Sequence, residues 1–154
     1  MRSKLFVPGA RPELFDKAMA GAADALSLDL EDSVPEAGKA AARVQVGAFL
    51  RRDDVAASGR LLIVRSNGTA SPHFAADLAA VTLPSVWLLN LPKVECVAQV
   101  REAAAALERA EAGNGVARPI GLLLNIETPR GLRLAAELAA AHPRVAGLQL
   151  GLGD

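Results

Sequence analysis

Short apolar runs alternate with longer amphipathic stretches along the 154 residues of the chain. The runs at residues 3–7 (SKLFV), 23–30 (ADALSLDL), 60–65 (RLLIVR), 85–91 (SVWLLNL), 120–126 (IGLLLNI) and 145–150 (VAGLQL) predict six strands. Helices are predicted between them. Leu14, Phe15, Ala18 and Met19 share one face of residues 11–21, with Gly21 as the stop. Pro35 opens a helix over residues 36–52, at a position where proline is tolerated. Ser71-Pro72 begins a short helix through residue 81, and a long one at 95–112 carries Val97, Val100, Ala104 and Leu107 on its apolar stripe. The last predicted helix covers residues 129–141.

Regular alternation, nearly continuous apolar strands and short connections describe an α/β fold with parallel strands and helical crossovers. Polar residues recur where the strands end: Asp29, Glu31 and Asp32, then Arg65, Lys93, Glu127 and Asp154. A rim of that kind is how the active site of a TIM (β/α)8 barrel is built. No Gly-x-Gly-x-x-Gly follows the first strand and no phosphate-binding P-loop occurs, which argues against a nucleotide-binding doubly wound sheet. A complete eight-unit barrel takes about 200 residues or more. The expectation is therefore one incomplete barrel domain over residues 1–154, with about six βα units.

Composition narrows the partners. Hydrophobic residues make up 51% of the chain, enough for a folded core. Lys+Arg and Asp+Glu both number 17, and aromatic residues are scarce, so neither nucleic acid nor an anionic membrane is recommended as a partner. Cys96 is the only cysteine, which excludes an internal disulfide and a thiol-based zinc site. The opening MRSKLFVPGARPE is broken too early by Pro8 for a signal peptide, and no run approaches the ~18 apolar residues of a membrane span. A cytoplasmic protein is expected.

Glu127 and Asp154 each stand where a buried strand gives out. Two carboxylates at neighbouring strand ends suit a hard divalent cation such as Mg2+, which takes oxygen ligands and keeps positions for water and substrate. The alternative is that Glu127 caps the following helix and Asp154 is a turn residue. Arg65 is either paired with a strand-end acid, Asp29 or Glu31, or waits for a substrate carboxylate. The strand period puts Asp29 and Glu31 on one side, where carboxylates so close need a cation, a bridged metal or a shared proton, unless they form a solvated turn. Lys93 is an electrophile, a Schiff-base lysine or an ion-pair partner of Glu95 or a rim acid. His73 and His142 read as surface residues, Cys96 as a packing residue and Trp87 as core.

Six motifs in order, KLFVPGARPELFDKA, ADALSLDLEDSVPEAGKAAAR, LIVRSNG, LPKVE, NIETPRGL and GLQLGLGD, resemble the citrate lyase β-subunit-like branch of the HpcH/HpaI aldolase superfamily over the whole chain. The resemblance implies a barrel of the phosphoenolpyruvate-binding kind. It also implies a Mg2+-dependent lyase (Mn2+ being possible) that cleaves C–C bonds of acyl-CoA thioesters such as citryl-CoA, malyl-CoA or citramalyl-CoA. Glu127 and Asp154 match the family's metal ligands, and Arg65 its substrate-binding arginine. Phe6, Arg11 and Lys17 match positions that contact CoA, while Asp29, Glu31 and Asp32 match a supporting acidic motif. Family members usually form homotrimers or homohexamers, and they run on past GxGD through two more strands and a C-terminal segment. The chain is therefore expected to be a fragment with an open edge beside its last strand. A class II aldolase releasing pyruvate from a hydroxy-oxo-diacid, and a non-catalytic CoA- or acid-binding subunit, are the other readings.

Overall fold

The structure, a computed structural model, describes residues 1–151. Six parallel strands form one sheet in the order β1 to β6: Lys4–Pro8, Ala25–Asp29, Leu61–Arg65, Val86–Leu91, Gly121–Ile126 and Val145–Leu150. The helices are α1 (Phe15–Met19), α2 (Lys39–Leu50), α3 (Asp53–Ala56), α4 (Phe74–Val81), α5 (Val97–Asn114), α6 (Pro129–Arg133) and α7 (Ala135–Ala139). Short 3-10 turns at Pro12–Leu14 and Glu36–Gly38 lead into α1 and α2.

Spatial order that follows chain order, with no switch point, keeps crossovers of one hand on one face of the sheet. The strand residues explain why. Leu26, Leu28, Leu62, Val64, Leu89, Leu91, Leu122 and Leu124 form one buried cluster with Val46, Leu78, Leu107 and Leu138 from the helices. Burying each such side chain contributes roughly 1.5–3 kcal/mol. The opposite face holds a second, small cluster of Ala25, Ile63 and Leu123, flanked by Leu61 and Leu88. Among the described residues that cluster holds only strand side chains, yet Ser27, Ile63 and Asn90 on the same face are fully buried. The sheet therefore curls around it, as a barrel wall does. Among the described residues the barrel is not closed, since β1 pairs only with β2 and β6 only with β5.

Three local expectations change. Trp87, read as core, is 45% exposed. The β3–β4 register passes from Leu62↔Val86 to Ile63↔Leu88, so Trp87 is the unpaired residue of a bulge, and Arg118 covers its ring at 4.1 Å. The expected helix at 129–141 divides at Leu134, whose φ of −99° and ψ of 8° depart from the helical range. The short helix α3 lies beyond Arg52, where none is predicted.

Candidate active site

The C-terminal ends of β2 and β3 are joined through charge. Arg65, the last residue of β3, meets Asp29, the last of β2, in direct register. The pairing is bidentate, with Nε donating to Oδ1 and Nη2 to Oδ2, both at 2.7 Å. Asp29 also accepts the backbone N–H groups of Glu31 and Ser33. Burial pushes its carboxyl up, but the Arg65 bonds and the two amides outweigh that and hold it below the ordinary carboxylate range. Arg65 Nη1 lies 3.1 Å from Glu31 Oε2 and 3.5 Å from Asp32 Oδ2. Of the two alternatives for Arg65, pairing with a strand-end acid is the one observed, and it involves all three acids.

Lys93 closes the cluster from the end of β4. Its Nζ donates to Glu31 Oε1 at 3.0 Å and to Asp32 Oδ1 at 3.1 Å. The bond to Glu31 raises its pKa, burial works against it, and the bond to Asp32 with the charges of both acids adds to the rise. Of the readings of Lys93, the ion pair is the one observed, and an ammonium held in its charged form does not favour a Schiff base. Its acid partners are Glu31 and Asp32 rather than Glu95. Within the acid pair, burial and the Asp32 carboxylate raise Glu31. Asp32 is lowered, because its bonds with Glu31 and Lys93 overcome burial. Lys93 takes a left-handed backbone, φ 51°, which turns its own N–H toward Glu127 Oε2 at 3.0 Å.

Glu127 follows β5 directly. Its Oε1 accepts from Asn125 Nδ2 at 2.7 Å, so both carboxylate oxygens are oriented by donors while each keeps free lone-pair capacity. Glu127 does not cap the next helix. Thr128 does, its Oγ1 accepting from Gly131 N at 3.0 Å with Pro129 in the first turn. Gly151 N donates to Ile126 O, which lays the end of β6 against the end of β5. A Cβ at Gly151 would collide with Glu127 Cγ and stand 2.9 Å from its Oε1. Gly151, directly after β6, therefore lies against this carboxylate. Asp154, the second expected ligand, lies outside the described residues. Among the described residues no group of three acid, His or Cys side chains is arranged to hold a metal. Glu127 fits a Mg2+ site as one acidic oxygen donor of a sparse set, beside a cradle that only glycine leaves open.

Phe6 and Lys17 line one groove of about 380 Å3 between β1 and α1, together with Leu5, Val7, Leu14 and Gly21. Phe6 also lies under the Arg65 guanidinium, 5.1 Å from ring centroid to Cζ, which connects the groove to the charged rim. Arg11 is not in that lining; it is exposed and paired with Glu13. Asn67, just past β3, donates to Leu30 O and to the buried Asp77, which is itself paired with Arg43, so the loops after β2 and β3 are braced together. Burial of the Arg43 neighbourhood extends to His73, whose Nδ1 faces Arg43 and Nε2 faces Glu36; it is half-buried rather than a surface residue. His142 is also half-buried, accepting from Arg144 N. Cys96 is the N-cap of α5 rather than a packing residue, because Gln99 folds back onto its backbone N–H and thiol.

Sequence reasoning missed Lys4, Asn90 and Asn125 on the inner face, and the buried pair of Glu111 with Arg144. The first group left a trace: a Lys opening β1, and one Asn in each of two strands that are otherwise apolar.

An open parallel β/α barrel wall, carrying a buried Arg–Asp pair and an oriented Glu at its C-terminal rim, places the chain among the barrel proteins with an acidic, metal-compatible site. Comparison with known proteins makes this specific. The profile of the HpcH/HpaI aldolase/citrate lyase family matches residues 2–154, and the chain belongs to that family. The L-malyl-CoA/beta-methylmalyl-CoA lyase of Cereibacter sphaeroides (strain ATCC 17025 / ATH 2.4.3) is 36% identical over 99% of this chain and 48% of its own length. The citrate lyase subunit beta of Leuconostoc mesenteroides subsp. cremoris is 35% identical over 99% and 50%. The CitE protein of Mycobacterium tuberculosis, solved with magnesium, acetoacetate and coenzyme A, superposes with a TM-score of 0.73 at 37% identity, over 96% of this chain and 47% of that one. The chain thus spans about half the length of the curated relatives it matches. No helix among the described residues is long and apolar enough to cross a membrane.

Proposed function

We propose that the chain carries part of the site of a Mg2+-dependent carbon–carbon lyase acting on a β-hydroxyacyl-CoA thioester, of the citryl-CoA, malyl-CoA or citramalyl-CoA type. The observation that carries this reading is the oriented Glu127 carboxylate beneath Gly151, tied through Lys93 to the acids that hold Arg65. Relatives named as malyl-CoA lyase and citrate lyase β-subunit, and a related structure containing magnesium and coenzyme A, support it.

In such a cleavage the substrate hydroxyl loses its proton, the adjacent C–C bond breaks, and the electron pair moves onto the thioester carbonyl as an enolate that is then protonated. Bound Mg2+, held by Glu127 and Asp154, would supply Lewis acidity to the substrate's oxygens. Asp29 fixes the plane of Arg65, so its guanidinium is preorganised to stabilise developing negative charge without reorienting. Phe6 and Lys17 offer an apolar wall and a cation for the CoA portion, so remote binding energy positions the reacting carbon, and the exposed Arg11 would add a second cation for it. That groove favours a thioester over the free hydroxy-oxo-diacid of a class II aldolase. The same reading makes the protein a cytoplasmic homo-oligomer, trimeric or hexameric.

The test pairs turnover with metal binding. Wild type should release acetyl-CoA from at least one of malyl-, citryl- and citramalyl-CoA in the presence of Mg2+. Glu127→Ala should abolish release and weaken Mg2+ binding in calorimetry. Unchanged Mg2+ affinity in a folded Glu127→Ala variant refutes the assignment, and pyruvate release from a hydroxy-oxo-diacid with no thioester turnover replaces it by the aldolase.

A further inference from the structure

A row of buried polar side chains crosses the inner face of the wall and ends on Glu127. It starts at Lys4, at the opposite end of the strands from the rim. Lys4 belongs to the first register level of β1, opposite Ala25 and, through it, Leu61. Its aliphatic stem climbs past Phe6, placing Nζ 4.1 Å from the ring centroid, and Nζ donates to Asn90 Oδ1 at 3.2 Å. Asn90 sits at the rim level of β4, in register with Arg65. Its Nδ2 donates to Asn125 Oδ1 at 2.7 Å and to Leu123 O at 3.0 Å. Asn125 Nδ2 then donates to Glu127 Oε1 at 2.7 Å.

Every bond in this row runs the same way, from ammonium to carboxylate. Reversing the Asn90 carboxamide would point its amide protons at the Lys4 ammonium and its oxygen at Leu123 O. Reversing Asn125 would set oxygen against carboxylate. The charges at the two ends thus fix the direction of both amides, and each bond polarises the next. Asn90 is 0% and Asn125 1% exposed, so neither has water as a substitute partner. Lys4 is half-buried, and burial together with the Arg65 cation lowers its pKa to about 8, which leaves it mostly charged and donating at neutral pH. Two asparagines and a lysine buried among leucines cost stability unless they serve the group at the end of the row.

We propose that Lys4 is a positioning residue that holds the Glu127 carboxylate in its metal-facing orientation through Asn90 and Asn125. The metal part of this inference rests on the reading of Glu127 given above. Carboxylates that bind metals are oriented by the groups hydrogen-bonded behind them, and losing such a partner commonly lowers metal affinity about 10–100-fold. Asn125 touches Glu127 directly, so Asn125→Leu should fall in that range; Lys4, two residues further back, should cost about three- to tenfold when removed.

The experiment uses the full 154-residue chain with Lys4→Met, Lys4→Arg, Asn90→Leu and the Lys4→Met/Asn90→Leu pair. Two readouts are taken: hydrogen exchange of the Asn90 and Asn125 side-chain carboxamides by 15N NMR without metal, and Mg2+ affinity by calorimetry. Lys4→Met should speed carboxamide exchange about tenfold and weaken Mg2+ binding about three- to tenfold. Lys4→Arg should restore both, and the double variant should bind Mg2+ no worse than Asn90→Leu, because a broken row cannot be broken twice. Unchanged carboxamide exchange in Lys4→Met, or losses that multiply in the double variant, overturn the proposal. Because the exchange readout needs no metal, it decides the row even if Glu127→Ala leaves Mg2+ affinity intact and so removes the reading of the site.

Discussion

Replacing Asp29 by Asn tests how the Arg65 side chain is held. Oδ1 accepts from Arg65 Nε and Glu31 N, while Oδ2 accepts from Arg65 Nη2 and Ser33 N. All four neighbours are donors, so whichever oxygen becomes an amide, its protons face two N–H groups. The substitution keeps the shape, removes the charge opposite a guanidinium whose side chain is only 12% exposed, and orphans two donors. Breaking one side of a buried ion pair costs about 3–5 kcal/mol, far above the ~1 kcal/mol of an exposed pair. The assay is urea denaturation followed by far-UV circular dichroism, with the slope checked for change. Acid supplies a second arm. The folded-state pKa of Asp29 is depressed, so its stabilisation is present above the ordinary value of 3.8 and lost as pH falls through the lower folded value. The gap between wild type and Asp29→Asn should therefore close in acid. A loss below about 1 kcal/mol at neutral pH would refute the reasoning, since it would mean that water replaces the pairing.

Three further outcomes are expected, besides the loss of Mg2+ binding in Glu127→Ala. Lys4 has its folded pKa lowered from 10.5 to about 8, so the unfolded chain binds more protons between those values and stability rises with pH across that window. For a half-buried group the gain should be about 1 kcal/mol after solvent screening, seen in denaturation at pH 8 and 10.5 and missing in Lys4→Met. Thr128→Ala removes the cap on Gly131 N and should cost ~1 kcal/mol in the same assay. Gly151→Ala drives a methyl group into Glu127, so calorimetry should show weakened Mg2+ binding while the denaturation midpoint hardly moves.

The strands and their order of polar ends were legible because the central strands, β2, β3 and β5 above all, are buried almost throughout, which writes them as mainly apolar runs. Asp29, Arg65 and Glu127 stand out in such a sequence for the same reason: they are the first charges after leucines. The pairing of Asp29 with Arg65 needs only neighbouring strands in register, so it too could be read as one of two outcomes. What the sequence concealed depends on long side chains or on register slips. Lys4 looks like a terminal residue of β1, yet its reach of several ångströms along the wall brings its ammonium to Asn90. Trp87 has the composition of a core residue, and only the slip between β3 and β4 turns it outward. Thr128 beside Glu127 offers two capping groups in succession, and backbone geometry selects the hydroxyl, freeing the carboxylate.

That freedom matters for how the rim can work. Among the described residues, four carboxylates, Asp29, Glu31, Asp32 and Glu127, share this region with three cations, Lys4, Arg65 and Lys93. Asp29 is committed to Arg65, and Lys93 holds Glu31 and Asp32. Glu127 differs from all of these. Among the described residues its direct hydrogen-bond partners are a carboxamide and a backbone amide, which aim its oxygens. Its connection to an ammonium runs through two amides rather than by contact. A carboxylate oriented in this way presents its oxygens toward Gly151, the arrangement that the proposed divalent-cation role requires. The separation of roles proposed for the rim thus follows from the partners: among the described residues, Asp29, Glu31 and Asp32 meet a guanidinium or ammonium directly, whereas the hydrogen bonds to Glu127 come from neutral donors.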